Sequence, residues 1–142
     1  MHTDELVAQE QERPTRETPR GHETVLIVED DELTRNVTGL VLEELGYRLL
    51  EAQNGTEAME MNRTFAGDIH LLLSDIVMPD GNGVSWSQRL TKDRPSLSTL
   101  FISAHTREGL QQDGIPDPGP DFLQKPFHPD ALARKIRDIL DR

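Results

Sequence analysis

The sequence predicts an α/β fold built on an open parallel sheet covered on both faces. Three observations carry that prediction. From Thr24 onward, short apolar runs alternate with stretches of helical periodicity, the pattern of βαβ crossovers. The run Ile69–Ser74 is apolar on both alternating sets of positions, as a strand buried on both faces requires. Four runs, TVLIVEDDE (24–32), LLLSDIVMPDGNG (71–83), LFISAH (100–105) and FLQKPF (122–127), end in a charged or hydroxyl residue. An open α/β sheet gathers such ends along one edge, where ligands bind.

Each element has a local reason. Thr24–Val28 is rich in β-branched residues and flanked by charges, so it reads as a strand. Leu33, Val37, Leu40, Val41 and Leu45 recur at helical spacing, and Gly46 supplies the stop. Tyr47–Ala52 is a second strand, closed by the turn pair Asn54-Gly55. Ala58, Met61 and Phe65 mark the next helix, with Asn54 and Glu57 spaced as a capping box. Ile69–Ser74 is the third strand, Val84–Leu90 a short helix and Leu97–Ser103 the fourth strand. Phe122–Gln124 is a short fifth strand. Leu132, Ile136, Ile139 and Leu140 then give an amphipathic helix with Pro129 in its first turn. Between the last two strands, HTREGLQQDGIPDPGPD (105–121) holds Pro116, Pro118 and Pro120, which argue against a full helix there. One or two turns at 106–112 remain compatible with the sequence. Residues 1–22, of mixed charge and few hydrophobes, read as a tail or linker, with a short helix at 3–12 as the competing reading; residues 23–142 form the domain.

Composition narrows the function. The 142 residues suffice for one ordinary domain, and no apolar run approaches the roughly 18 residues that span a bilayer. A net charge of −11 argues against nonspecific nucleic-acid binding. The absence of cysteine excludes disulfides and thiolate chemistry, and agrees with a cytoplasmic setting. His2, His22, His70, His105 and His128 show no metal-ligand spacing.

The strand ends then carry the chemistry. Glu29, Asp30 and Asp75 bring carboxylates to one edge, Ser103 a hydroxyl and Lys125 an ammonium. Crowded carboxylates repel unless a cation joins them, and hard oxygen ligands suit Mg²⁺. The lysine suits an anion that arrives with the metal, and phosphate is the natural candidate. Each residue also has a structural reading: Asp75 as a turn cap, the 29–32 acids as a solvated helix start, Lys125 as a surface ion pair, Phe122 as core. Their joint order and placement favours the functional one. Lys125 precedes Pro126, so its backbone is extended and the bond between them is a candidate for cis.

VLIVEDDE, LLLSDIVMPDGNG, FISA and FLQKPF resemble the motifs of the response-regulator receiver domain of two-component signalling, over about residues 23–142. The resemblance implies a doubly wound, flavodoxin-like sheet of five parallel strands in order 2-1-3-4-5, with the fourth helix short or missing here. It implies Asp75 as phosphoacceptor, and Glu29, Asp30, Asp75 and the backbone carbonyl of Val77 as the Mg²⁺ ligands. Lys125 would contact a phosphoryl oxygen, with Ser103 the switch hydroxyl and Phe122 the switch aromatic. Asp31 and Glu32 would fall outside the metal shell. Val77 and His105 would flank the path of the hydrolytic water, and an apolar Val77 cannot orient it, which predicts a fairly stable phosphoryl group. The implied partner is a sensor histidine kinase or a histidine phosphotransfer protein, with no nucleic acid, no membrane contact, and a monomer or weak dimer. The proline-rich 105–121 segment resembles receivers at the C-terminus of hybrid sensor histidine kinases. The implied role is a phosphoacceptor signalling domain rather than an enzyme. Two alternatives stand beside it. A pseudo-receiver would bind a protein without phosphorylation. An aspartate-nucleophile phosphatase would want a second acid at position 77, where Val stands.

Overall fold

The computed structural model describes residues 17–142. Most of the expected tail, and the helix weighed at 3–12, lie outside the described residues. β1 (Thr24–Val28) is buried along its whole length. α1 (Glu32–Glu44) starts where the Asp31 carboxylate accepts a hydrogen bond from Thr34 N at 2.9 Å, and it ends before Gly46, whose φ of 104° only glycine adopts freely. β2 (Arg48–Ala52) and α2 (Gly55–Thr64) follow, then β3 (Leu71–Asp75). The chain next folds back on itself in a two-residue antiparallel ladder, Val77–Met78 against Gly81–Asn82. α3 (Gly83–Asp93), β4 (Ser98–Ser103), α4 (Arg107–Gln112), β5 (Phe122–Gln124) and α5 (Pro129–Leu140) complete the fold. The sheet runs β2-β1-β3-β4-β5, every pair parallel. This is the order 2-1-3-4-5 that the resemblance implied, and the fourth helix is indeed short.

The chain reverses its winding between β2 and β3, which lie on either side of β1. Ligands bind such sheets at the strand ends beside that reversal. One face of the sheet packs under α1 and α5 through Leu42, Leu45, Leu132 and Ile136. The other packs under α2 and α3 through Ala58, Leu90 and Met78. Among the described residues, no helix is long and apolar enough to cross a membrane.

Three local details differ from the sequence reading. The apolar stripe of α1 divides. Leu45 faces the core with Val41 packed against it, joined by Leu42, which the expected stripe did not include, whereas Leu33, Val37 and Leu40 are 73%, 52% and 67% exposed. The capping box reaches one residue further back than expected: Asn54 caps Glu57 N at 2.7 Å, but the Glu57 carboxylate accepts from Gln53 N at 3.3 Å. Residues 17–22, expected as part of the tail, lie against the domain. Thr18 is buried, Gly21 N donates to Leu45 O at 3.1 Å, and Arg20 donates to Glu44 O at 2.8 Å. Residues 17–22 thus make contacts with the domain that the sequence reading starts at 23. The Gly21 amide and the Arg20 guanidinium supply these bonds. A Cβ on Gly21 would lie 2.3 Å from the Tyr47 ring.

Candidate functional site

The acidic strand ends converge. Glu29 follows β1 and is buried, Asp75 closes β3 with 9% exposure, and Lys125 follows β5. Glu29, Asp30 and Asp75 each offer an oxygen, all within 4.8 Å of one another. Lys125 Nζ donates to Glu29 Oε1 at 2.5 Å and to Asp75 Oδ2 at 3.3 Å. The other Asp75 oxygen accepts from Ile76 N at 2.8 Å. The Asp75 carboxylate is thus oriented from both sides. The bond between Lys125 and Pro126 is cis.

Electrostatics show what this arrangement lacks. Burial pushes the Glu29 carboxyl above its ordinary range, the Lys125 hydrogen bond pulls against that, and the Asp75 charge adds to the rise. Asp30 is raised as well, by burial first and by Glu29 second. Burial also works against the Lys125 ammonium, yet its hydrogen bond to Glu29 and the Asp75 charge hold its pKa above the ordinary value. One ammonium faces three carboxylates, which leaves room for a divalent cation. The donor set, hard oxygens only, fits Mg²⁺ and suits no soft metal. Asp31 is occupied otherwise, as the cap of α1.

The remaining predicted residues fall in two places. Ser103 ends β4 and is fully buried; its Oγ accepts from His105 N at 3.0 Å, and its carbonyl accepts from Lys125 N at 2.8 Å. It therefore sits one residue beyond Ile102, the partner of Asp75 across the sheet. Phe122 stands back from the acids, paired with Phe101 at the start of β5. It packs against the small cluster of Ile76, Val84, Phe101 and Leu110. Val77 is 42% exposed on the ladder beyond Asp75, and His105 is exposed.

Sequence reasoning missed three contributors. Arg35, one turn into α1, donates to the Glu29 carbonyl at 2.7 Å and braces the buried acid from its backbone side. Arg107 of α4 lies over the Phe122 ring at 4.7 Å and donates to Gly119 O at 2.6 Å. Asp80 ties the ladder to α2. The two arginines, in charged helical stretches, have no motif signal; Asp80 lies within LLLSDIVMPDGNG but looks there like any turn aspartate. An apolar groove of about 550 Å³, lined by Leu33, Val37, Val41, Pro126 and Phe127, opens beside Lys125.

The sequence and the fold are similar to those of known proteins. The family model for the response regulator receiver domain matches residues 25–137. The sensor kinase CckA of Brucella abortus is 31% identical over 122 residues, covering 86% of this chain and 13% of that protein. The response regulator receiver protein CpdR of Brucella abortus is 34% identical over 116 residues, covering 82% of this chain and 95% of that protein. Several relatives are much longer than the matched region: the chain spans 48% of the aerobic respiration control protein ArcA of Escherichia coli. Among solved structures, the receiver domain of the hybrid histidine kinase CckA superposes with a TM-score of 0.67 at 30% identity, covering 81% of this chain and 96% of that one. The Thermotoga maritima response regulator TrrA, solved in complex with Mg²⁺-BeF, gives 0.66 at 25% identity, covering 82% and 97%.

Proposed function

Because the chain belongs to the response regulator receiver domain family, we propose that it is the phosphoacceptor of a two-component phosphorelay, taking a phosphoryl group from phosphohistidine onto Asp75. The observation that carries the reading is the joint hold on one carboxylate: Lys125 and the Ile76 amide bind Asp75, while two further acids lie within 4.8 Å. An oriented, ionised carboxylate needs no general base to act as nucleophile. An Asp75 oxygen forms the new bond to phosphorus as the P–N bond breaks, and its electron pair returns to the imidazole nitrogen. Lys125 offsets charge on the equatorial oxygens, so catalysis rests on positioning and electrostatics. Glu29, Asp30, Asp75 and the Val77 carbonyl would hold Mg²⁺, which supplies further positive charge against the phosphoryl oxygens. The Mg²⁺-BeF complex of the Thermotoga maritima relative supports that assignment.

The acyl phosphate then carries roughly two negative charges and new acceptor oxygens. Ser103 donates a hydrogen bond from its hydroxyl to one of them, and Phe122 follows into the vacated space, a shift between two packings. Val77 has no polar group to orient a hydrolytic water and His105 stands exposed, so the phosphoryl group persists well beyond seconds. The donor is a sensor histidine kinase or a histidine phosphotransfer protein. The groove lined by Leu33, Val37 and Phe127 adjoins Lys125 and offers that donor an apolar docking surface beside the nucleophile. The domain acts in the cytoplasm as a monomer or weak dimer and turns over no substrate of its own.

Beryllofluoride with Mg²⁺ tests the reading, because the pair mimics an acyl phosphate on aspartate. A one-to-one complex in fluorine NMR, with amide shifts at Ser103 and Phe122, is expected. No complex, or one that forms equally in Asp75→Asn, overturns it.

A further inference from the structure

The loop after Asp75 is pinned at two ends by different means. Its base closes through backbone and shape. Gly83 N donates to Ile76 O at 2.7 Å, Ser74 Oγ donates to Asp75 O at 2.8 Å, and a Cβ on Gly83 would lie 2.1 Å from the Asp75 carbonyl. Its tip is held by one side chain. Asp80 Oδ1 accepts from Gly55 N at 3.3 Å, and Oδ2 accepts from Thr56 N and from Thr56 Oγ1, each at 3.1 Å. Gly55 and Thr56 open α2, so their amides have no carbonyl partner within the helix, and Asn54 serves only the next one. Asp80 fills that gap from a different segment of the chain.

Shape completes the joint. Trp86 of α3 packs on Gly55, where a Cβ would lie 2.1 Å from the ring, and its indole nitrogen would be 3.2 Å from a Cβ on Gly81, whose φ is 136°. Burial works against the Asp80 carboxylate, but the bonds from Thr56 and Gly55 hold it below its ordinary range, so the pin stays charged at neutral pH. Between the pinned base and the pinned tip lies Val77, exposed, in the two-residue ladder opposite Asn82.

We propose that Asp80 is a positioning residue: by fastening the loop tip to the start of α2, it sets the Val77 carbonyl for the metal. The proposal rests on the receiver reading above, and it adds a residue outside the acid cluster. Preorganised ligands bind metal more tightly because less order is lost on binding. The tie works in both directions, so a bound metal also quiets the first amides of α2.

The test is Mg²⁺ titration by calorimetry of the whole chain, paired with amide exchange of the metal-free protein. Asp80→Ala weakens Mg²⁺ binding about three- to tenfold, below the loss typical of partners that touch a ligand directly. Thr56→Val leaves the charge of Asp80 in place and removes one bond; it weakens binding about twofold, and adds nothing on the Asp80→Ala background. In the metal-free protein, both variants speed exchange at Thr56 N and Gly83 N. Unchanged Mg²⁺ affinity in Asp80→Ala overturns the proposal. So does a loss in Asp80→Ala with Thr56→Val inert, because charge alone would then explain it. A wild-type chain that binds no Mg²⁺ strikes the receiver reading itself, and the exchange rates still decide whether Asp80 pins the loop.

Discussion

Glu23 and Glu29 stand at the two ends of the same five-residue strand, and the protein treats them in opposite ways. Glu23 meets Arg137 in a two-pronged pair at 2.8 and 2.7 Å, and that hydrogen bonding lowers its pKa from 4.5 to about 2. Arg137 also reaches the Tyr47 hydroxyl at 3.3 Å and the exposed Asp141 at 2.6 Å, so this end of the sheet is held shut by satisfied groups. Glu29 also meets a cation, Lys125, yet burial pushes its pKa up. A planar guanidinium answers a carboxylate in full, while a single ammonium shared between two acids does not. One end of β1 is built for stability and the other is left short of positive charge. That shortfall is what a metal ion and a phosphoryl group can use.

The largest break in this comparison comes from the lysine. Lys125→Met removes the cation that binds both Glu29 and Asp75. The rate of phosphoryl uptake from acetyl phosphate should fall about 100-fold, the loss typical of a group that stabilises transition-state charge. Next comes the metal. At about a hundredfold excess over its Kd, Mg²⁺ should stabilise the fold by about 2.7 kcal/mol in thermal melts. The sign follows from Glu29. A carboxyl whose folded pKa lies above the unfolded 4.5 weakens the fold progressively as pH rises through the folded value. Mg²⁺ should therefore raise the melting temperature at pH 7.5 and have little effect near pH 4.

Glu23→Gln sharpens the contrast at the other end. It should cost about 2 kcal/mol, less than the full worth of the pKa shift because solvent reaches part of the pair. Since the folded pKa is depressed, the wild-type contribution is complete above 4.5 and disappears as pH falls toward about 2. Urea titrations between pH 6 and pH 2.5 should show that decline in the wild type and a flatter profile in Glu23→Gln, with Mg²⁺ affinity unchanged.

Much of this was legible before any coordinates. The polar residues that interrupt apolar runs, Glu29, Asp75, Ser103 and Lys125, mark the strand ends because a buried strand tolerates charge only where it leaves the sheet. The order of the strands came from the resemblance, since alternation alone fixes neighbours but not their arrangement. Other features had no local signal. Residues 18–21 are held by hydrogen bonds from the Arg20 side chain and the Gly21 amide to the carbonyls of Glu44 and Leu45, more than twenty residues away, which composition does not encode. The two apolar stripes of α1 share one helical period, so spacing could not say that Leu33, Val37 and Leu40 stay outside. Arg107 finds Phe122 only because the proline-rich loop folds α4 back beside β5.

The central claim is that the carboxylate at the end of β3 accepts a phosphoryl group. Intact mass after incubation with acetyl phosphate tests it most directly, with and without Mg²⁺ and with Asp75→Asn in parallel. One added phosphoryl group in the wild type, absent without the metal and absent in the mutant, is the expected result. An adduct that persists in Asp75→Asn, or a wild-type chain that takes up no phosphoryl group from either acetyl phosphate or a phosphorylated histidine phosphotransfer protein, would contradict it.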